Sequence, residues 1–279
     1  MSETQLLKGQ VAVVTGGASG IGLATAERLA ANGARIIMSG RSDERGAAAE
    51  RRLHDAGADA LFVKSDVSLE DDVARLMETA AKWGGIDILV NNAGPSGDDF
   101  GIGAIHELSS DSFDRAMKIG AYGPFWCCKH ALPHMMARGG GAVVNISATA
   151  AVRALPRFGA YAMSKSILEA LGRQVANDYA AHGIRCNTLL VGTVRPGPGD
   201  VSTLPADFNA AVLDKRISLT TMLGRTGSYA DVAEAVLFLV SPLSGYITGA
   251  AIPIEGGAMN KLQYPDYVSE MHSEKGEDR

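Results

Sequence analysis

The sequence predicts a single α/β domain in which helices flank both faces of a parallel sheet. Short apolar segments rich in β-branched residues alternate with helix-like segments along the chain, the pattern of repeated βα units. The chain has 279 residues, of which 46% are hydrophobic, so one large core is within reach. We therefore predict a doubly wound sheet that binds ligands at the carboxyl ends of its strands.

Six strands are expected, and each is a short apolar run typical of a buried parallel strand. In chain order they are Gln10 to Thr15, Ala34 to Ser39, Ala60 to Lys64, Ile86 to Asn91, Gly141 to Ser147 and Gly183 to Leu190. Helical composition lies between them. The clearest predicted helices are Leu23 to Ala30, Glu70 to Lys82, Asp111 to Ala137 and Ala160 to Ala181.

Residues 191–222 interrupt this alternation. The run from Arg195 to Asp200 contains two prolines and two glycines, which exclude a regular helix or a central strand. Because the run follows a strand end, we interpret residues 191–222 as a lid, with a disordered insertion as the alternative. Residues 1–262 are expected to form one domain that carries this lid, followed by a polar C-terminal tail at 263–279.

A glycine-rich turn joins the first predicted strand to the first helix. In the segment Thr15 to Gly22, Gly16 permits a tight turn, Gly20 lets the backbone approach a pyrophosphate, and Gly22 allows close packing. The helix N-terminus that follows attracts phosphate charge. This context predicts a Rossmann-type nucleotide-binding fold, and an ordinary glycine turn is the alternative reading.

Tyr161 and Lys165 are four residues apart in a predicted helix, so they lie on one face, one turn from each other. An ammonium near a phenol favours the phenolate, and we expect it to lower the tyrosine pKa towards neutrality. Such a tyrosine is a general acid/base suited to alcohol/carbonyl interconversion. A tyrosine and a lysine at this spacing usually lie on a solvated helix face. The catalytic interpretation therefore depends on support from the other motifs.

Composition excludes several functions. The net charge of −5 at pH 7 offers no basic surface for nucleic acid, and no apolar stretch is long enough to span a membrane. Three cysteines, two of them adjacent, do not form a disulfide framework, which favours a cytoplasmic location. His130 and His134 have a metal-binding spacing, but no further ligands are evident, so no metal site is predicted.

These motifs together resemble the short-chain dehydrogenase/reductase family over about Lys8 to Met259. The segments that carry the resemblance occur in family order, namely Thr15 to Gly22, Asp66-Val67, Asn91 to Gly94, Tyr161 with Lys165, and Ile247 to Gly249 leading to Glu255 to Gly257. The resemblance implies hydride transfer between a nicotinamide cofactor and a small-molecule alcohol or ketone. It also implies a homo-oligomer, a tetramer or a dimer, joined partly through the predicted helices at 111–137 and 160–181.

Site residues follow from the resemblance by position. Tyr161 would donate or accept the proton, and Lys165 would bind the nicotinamide ribose and lower the tyrosine pKa. Asp66 would hydrogen-bond the adenine, and the Val194 backbone would meet the nicotinamide amide. The full set implied to bind the cofactor is Gly16, Ser19, Gly20, Ile21, Arg41, Asp66, Val67, Asn92, Ala93, Gly94, Tyr161, Lys165 and Val194.

Cofactor choice depends on the end of the second strand. An acidic residue there would bind the ribose hydroxyls and repel a 2′-phosphate, but this chain has Gly40 followed by Arg41. Because an arginine can hold the phosphate through two hydrogen bonds, NADP(H) is favoured, and NAD(H) is the alternative. Asp43 and Glu44 just beyond introduce some opposing charge.

Two positions depart from the family pattern. Ala148 stands where a serine hydroxyl usually binds the reacting carbonyl oxygen, and Gly120 stands where an asparagine is usual. Strand alternation predicts that neither Ser147 nor Thr149 faces the site unless the strand end is bulged. Thr149, a water or a polar group of the substrate could supply the missing contact, and Gly120 is expected to leave extra room.

Three functions remain open on this evidence. The first is an NADP(H)-dependent alcohol dehydrogenase or ketone reductase with a reduced catalytic set. The second is a non-redox isomerisation or dehydration on the same scaffold, and the third is a nucleotide-binding partner subunit with weak or no turnover. Three loop arginines allow two interpretations. They would attract an anionic substrate if they converged on the site, or each would simply be solvated on its loop. They are Arg153, Arg157 and Arg195.

Overall fold

Seven parallel strands form one sheet in the computed structural model, which describes residues 5–195 and 210–262. The strands are β1 (Val11–Thr15), β2 (Arg35–Gly40), β3 (Ala60–Lys64), β4 (Ile88–Asn91), β5 (Gly141–Ala148), β6 (Ile184–Val191) and β7 (Ala251–Ile254). Their order in the sheet is β3-β2-β1-β4-β5-β6-β7, which confirms the predicted doubly wound Rossmann-type fold. Strand order reverses between β1 and β4, where such sheets bind ligands.

The six predicted strands are confirmed, and the seventh was not predicted. β7 has four residues, one of which is Pro253, and pairs only with β6 at the sheet edge among the described residues. A proline is tolerated at an edge because it has no N–H to donate to a second neighbour. Its alternating, partly exposed side chains lack the apolar run that marks the inner strands.

Helices cover both faces of the sheet. They are α1 (Gly20–Ala31), α2 (Asp43–Asp55), α3 (Glu70–Trp83), α4 (Ser110–Met117), α5 (Gly123–Ala137), α6 (Gly159–Tyr179), α7 (Ala210–Thr220) and α8 (Tyr229–Val240). Alternate residues of β1 enter opposite cores, with Ala12 and Val14 beneath α1, α2 and α8, and Val11 and Val13 beneath α3, α5 and α6. Burial on both faces explains the uninterrupted apolar strands.

The helix predicted from Asp111 to Ala137 is not one regular α-helix. A π-helical turn, Lys118–Tyr122, separates α4 from α5. Pro124 provides a physical reason, because it has no N–H for the carbonyl of Gly120 four residues earlier, and its ring would clash with that carbonyl. The wider turn relieves the clash and brings Gly120 close to α6.

Two sequence predictions lie largely or wholly outside the described residues. Most of the irregular part of the predicted lid falls at 196–209, and the polar tail is 263–279. Within the predicted lid, the structure describes residues 191–195 and 210–222, which include α7. Across the described ranges, no helix combines the length and apolar character that crossing a membrane requires.

Candidate active site

The glycine-rich turn lies between β1 and α1 at the point where strand order reverses. Gly16 and Gly20 have φ angles of +64° and +55°, a region that side-chain-bearing residues rarely adopt. A Cβ atom on Gly22 would lie 2.2 Å from the carbonyl oxygen of Gly16, so the predicted close packing at Gly22 is confirmed. The turn leaves the N-terminus of α1 without an acidic residue or a side-chain cap, as an anion site requires.

A polar clamp holds this turn against β4. Asn92 donates its side-chain amide to the carbonyl oxygens of Thr15, at 2.9 Å, and Gly16, at 3.2 Å. The Thr15 hydroxyl accepts from the backbone N–H groups of Asn92 and Ala93 and donates to the carbonyl of Val90. The Asn92 side chain therefore braces the glycine turn, a role that the sequence motif did not indicate.

Gly22→Ala is expected to lower stability by about 1–3 kcal/mol and to abolish nucleotide binding, because the added methyl group would push the Gly16 carbonyl out of the turn. Gly40→Ala, whose Cβ would approach no atom closer than 3.7 Å, is the control for stability alone, because position 40 also lines the groove. Thermal denaturation and a nucleotide titration measure both effects. Unchanged binding in Gly22→Ala would show that this contact does not shape the site.

A groove of about 350 Å³ runs from the glycine turn along the strand ends. Nine of the residues implied to bind the cofactor line it, namely Gly16, Ser19, Gly20, Arg41, Asp66, Val67, Asn92, Ala93 and Gly94. Ile21, Tyr161, Lys165 and Val194 line an adjoining cavity that shares Asn92 and Gly94 with the groove. The structure thus brings the predicted residues to two adjoining depressions.

One end of the groove has groups that the sequence analysis missed. Arg45, in the first turn of α2, lines it, as do Ser39 and Ser65. The two serines are buried, and their hydroxyls have no hydrogen-bond partner among the described residues. Buried polar groups without partners are uncommon and mark a place where a ligand or water completes the bonding. Their positions at the carboxyl ends of β2 and β3 could have identified the two serines from the sequence, because ligands bind at strand ends in this type of sheet.

Charges at this end are already partly paired. Arg41 lies 3.6 Å from the Asp99 carboxylate, which comes from the loop after β4. Asp43, expected to oppose a bound phosphate, instead pairs with Lys64 at 2.5 Å. Asp66 accepts hydrogen bonds from the N–H and the hydroxyl of Ser68 through one carboxylate oxygen.

The adjoining cavity has a volume of about 510 Å³. Apolar groups form most of its wall, with Phe100 and Phe158 packed edge-on against the Tyr161 ring at centroid distances of 5.2 Å and 6.3 Å. The lining residues that carry a hydroxyl are Ser147, Thr149, Tyr161 and Thr193. Tyr161 therefore presents a phenol to a mostly apolar chamber next to the groove.

The expected lowering of the Tyr161 pKa is not seen in this structure. Burial raises the pKa of Tyr161 to about 12, opposite to the effect expected from Lys165. The reason is the direction of the lysine, whose Nζ donates to the Ile146 carbonyl at 2.8 Å and lies 6.0 Å from the tyrosine ring centroid. Burial also lowers the pKa of Lys165 to about 8, which further weakens its effect on the phenol.

Lys165→Met is expected to change the pH dependence of stability. Below pH 8 the buried ammonium destabilises the folded protein, and this penalty disappears as the pH rises from about 8 to the ordinary value of 10.5. The free energy of unfolding of the wild type should therefore rise relative to the variant by up to about 1.4 kcal/mol per pH unit in that window. Urea denaturation at pH 7 and pH 10 measures it. A difference independent of pH would refute the lowered pKa.

The space around Gly120 is filled, contrary to expectation. A Cβ at this position would lie 2.5 Å from Ser164 Oγ and 3.1 Å from Pro95 Cδ. The Ser164 hydroxyl is fixed there by donating to the Tyr161 carbonyl at 2.8 Å. Glycine at 120 therefore permits close packing of the π-helical turn on α6, and it provides no extra room.

The three loop arginines do not converge on the cavity. Arg157 pairs with Glu107 at 2.9 Å, Arg195 pairs with Asp214, and Arg153 donates to the carbonyl of Met259. None of the three is among the residues that line the cavity. The structure thus gives no support, in its described part, to an anionic substrate held by these side chains.

The histidine and cysteine signals have structural explanations. His130 lies 3.0 Å from Glu70, which bridges α3 and α5, and the described residues contain no group of three or more potential metal ligands. Cys127 and Cys128 are buried free thiols, and burial raises the pKa of both. The two cysteines pack the core between the sheet and its helices.

The strand order and the groove at its reversal point place the protein in the Rossmann class of α/β folds. A family model described as enoyl-(acyl carrier protein) reductase matches residues 16–259. A cis-4-hydroxycyclohexanecarboxylate dehydrogenase of Sinomonas cyclohexanicum is 40% identical over 252 residues, covering 89% of this chain and 96% of that protein. The chain belongs to the short-chain dehydrogenase/reductase family, as its motifs indicated.

Further relatives agree with this assignment. A 2-(R)-hydroxypropyl-CoM dehydrogenase of Xanthobacter autotrophicus is 37% identical over 251 residues, covering 88% of this chain and 97% of that protein. A blue fluorescent protein from a metagenomic library, solved in complex with NADPH, has a TM-score of 0.80 and 32% identity, covering 90% of this chain and 98% of its own. A short-chain type dehydrogenase/reductase structure from Mycobacterium ulcerans has a TM-score of 0.82 and 30% identity. The match covers 98% of this chain and 97% of that one.

Proposed function

We propose that this protein interconverts a secondary alcohol and a ketone with NADP(H), and that Tyr161 is its general acid/base. The observation that carries the proposal is the shared Asn92 and Gly94 boundary between the groove and the cavity. This adjacency supports a Tyr161 phenol that meets the nicotinamide end of a dinucleotide bound in the groove. Dehydrogenase relatives that act on hydroxy compounds support the same reaction class.

The residues of the groove suit a nicotinamide dinucleotide. When bound, the cofactor supplies or accepts the hydride. Gly16, Ser19, Gly20 and Ile21 would hold its pyrophosphate at the N-terminus of α1, since that helix end is free of opposing charge. The other implied contacts are Asp66 and Val67 for the adenine, Ala93 and Gly94 along the groove, and Val194, Tyr161 and Lys165 for the nicotinamide half.

The preference for NADP(H) rests on charge and hydrogen-bonding capacity near Arg41. Arg41 and Arg45 provide two guanidinium groups at one end of the groove, and the unpartnered hydroxyls of Ser39 and Ser65 line that end. A phosphate accepts hydrogen bonds from both kinds of donor. Asp43 is engaged by Lys64, which removes part of the opposing charge that the sequence indicated. NADPH in a structural relative is consistent with this preference.

The proton chemistry follows from the state of the phenol. With a pKa of about 12, Tyr161 is protonated at neutral pH and can donate its proton to the oxygen of a ketone as that oxygen gains negative charge. Gly94 allows Lys165 to lie close to the strand ends, because a Cβ at 94 would be 2.8 Å from Nζ. This position supports a role for Lys165 in binding a hydroxyl at the junction of groove and cavity.

We further propose a cytoplasmic homo-oligomer. The free, buried thiols suit a reducing compartment. Large apolar side chains are exposed on the helical segments around α5 and α6, where Tyr122 is 52%, Phe125 48% and Met163 41% exposed. A contact between copies of the chain would remove this apolar surface from water.

Spectrophotometric assays with a panel of uncharged secondary alcohols and ketones, each with NADP(H) and NAD(H), test the function. We expect turnover with NADP(H) and a smaller rate with NAD(H). Isomerisation or dehydration without net cofactor oxidation would instead identify a non-redox enzyme. Tight nucleotide binding with no conversion of any compound would favour the binding subunit.

A further inference from the structure

The geometry points to Thr149 as a further catalytic residue, whose hydroxyl donates a hydrogen bond to the substrate oxygen that exchanges a proton with Tyr161. This inference rests on the proposed alcohol/ketone function. It assigns to Thr149 the contact that the methyl group of Ala148 cannot make.

The end of β5 explains why Thr149 reaches the cavity. β5 ends at Ala148, and Thr149 begins a 3-10 turn, Thr149–Ala151. Side chains alternate between faces only while the strand continues, so the turn sets Thr149 on the same cavity as Ala148. The alternation rule that directed Thr149 away from the site therefore does not extend to this residue.

The neighbouring serine is not available for this role. Ser147 is 2% exposed, and its hydroxyl donates to the backbone carbonyl of Lys165 at 3.0 Å. This bond ties β5 to α6, and breaking it would leave the Lys165 carbonyl without that partner. Ser147 is thus a structural residue, although it borders the cavity.

The Thr149 hydroxyl is free and its backbone is fixed. Within residues 5–195 and 210–262, its Oγ makes no hydrogen bond, and the side chain is half-buried. The Thr149 carbonyl accepts from the N–H groups of Val152, at 3.1 Å, and Arg153, at 2.9 Å. A fixed backbone with an unused hydroxyl is what a preorganised donor to a reacting oxygen requires.

The turn is also held against the helix that carries Tyr161. The Ser166 hydroxyl on α6 lies 2.8 Å from the Ala151 carbonyl and 2.8 Å from the Ala162 carbonyl within its own helix, and it shares its proton between them. Tyr161 lies little more than one helical turn before Ser166, so the bond to Ala151 couples the position of Thr149 to that of the phenol. Thr193, the other threonine of the cavity, follows β6 and also borders a second cavity beyond it.

The experiment compares four variants by steady-state kinetics with NADPH and a ketone that the wild type reduces. Thr149→Val replaces the hydroxyl with a methyl group of similar size, and its kcat should fall on the order of a hundredfold. Thr149→Ser should keep most of the activity. Ala148→Ser added to Thr149→Val should recover at least about tenfold, by restoring a hydroxyl one residue earlier. Thr193→Val is the matched comparison and should lose less than Thr149→Val.

Nucleotide fluorescence titration should give the same NADPH Kd for all four variants, which separates a catalytic loss from a structural one. The inference is overturned if Thr149→Val keeps kcat within about threefold of the wild type. It is also overturned if neither Thr149→Ser nor the double variant with Ala148→Ser has a higher kcat than Thr149→Val. A larger loss in Thr193→Val would overturn it in favour of that residue. Absence of wild-type turnover overturns both proposals, whereas an active enzyme with an unaffected Thr149→Val overturns only this one.

Discussion

Tyr161→Phe is expected to reduce cofactor-linked turnover to background while leaving nucleotide affinity within a few-fold of the wild type. General acid/base catalysis by one side chain typically contributes about 10²–10⁴-fold. The phenylalanine ring keeps the edge-on contacts with Phe100 and Phe158, so the cavity wall is preserved and only the hydroxyl is lost. The phenol contributes one contact among the many that would bind the nucleotide.

The matched control is Tyr179→Phe, which removes a hydroxyl near the other end of the same helix, where Tyr179 packs against His182. Alcohol oxidation and ketone reduction should both be lost in Tyr161→Phe and retained in the control. Nucleotide Kd and thermal stability complete the comparison. A Tyr161→Phe protein with near-wild-type rate would show that another group moves the proton.

Arg41→Asp is expected to reverse or remove the preference for NADP(H). The Arg41 side chain is 60% exposed, and Arg41 lines the groove, where its guanidinium can form charge-assisted hydrogen bonds worth about 1.5–3 kcal/mol. Its loss alone should weaken NADPH binding by about 10- to 100-fold, and the new carboxylate would add repulsion of the 2′-phosphate. The same carboxylate can accept hydrogen bonds from the ribose hydroxyls of NADH, so NADH affinity should hold or improve.

Asp99→Asn provides a test of opposite sign. The Asp99 carboxylate lies 3.6 Å from Arg41 and competes with a bound phosphate for the guanidinium. Because such an exposed pair is worth about 0–1 kcal/mol, its removal should tighten NADPH binding by no more than about fivefold. Titration of the wild type and both variants with NADPH and with NADH measures the cofactor preference. Wild-type protein that binds NADH as tightly as NADPH would refute the preference.

Local signals predicted most of the fold. The apolar β-branched runs identified six strands within a few residues of their observed bounds, because each is buried on both faces by helices. The π-helical turn was missed because it depends on how Pro124 and Gly120 meet within the helix and against α6. The partly exposed edge strand β7 lacked the composition of its neighbours.

The candidate site was predicted less completely than the fold. The glycine turn and the Tyr161–Lys165 pair were apparent, since both depend on spacing along one element. Arg45, Ser39 and Ser65 were not singled out, because they join the groove only through the alignment of strand ends from separate βα units.

The sequence by itself determined six of the seven strands, the glycine turn, the family and the placement of Tyr161 and Lys165 one turn apart on one helix, since these arise from short-range composition and periodicity. Tertiary structure alone decided the direction of the Lys165 ammonium towards Ile146, the filling of the Gly120 space by Ser164 and the pairing of Arg41 with Asp99. Each of these depends on distances between residues far apart in the chain. A polar side chain bonds to whichever partner the packing brings within reach, and no spacing along a single element specifies that partner.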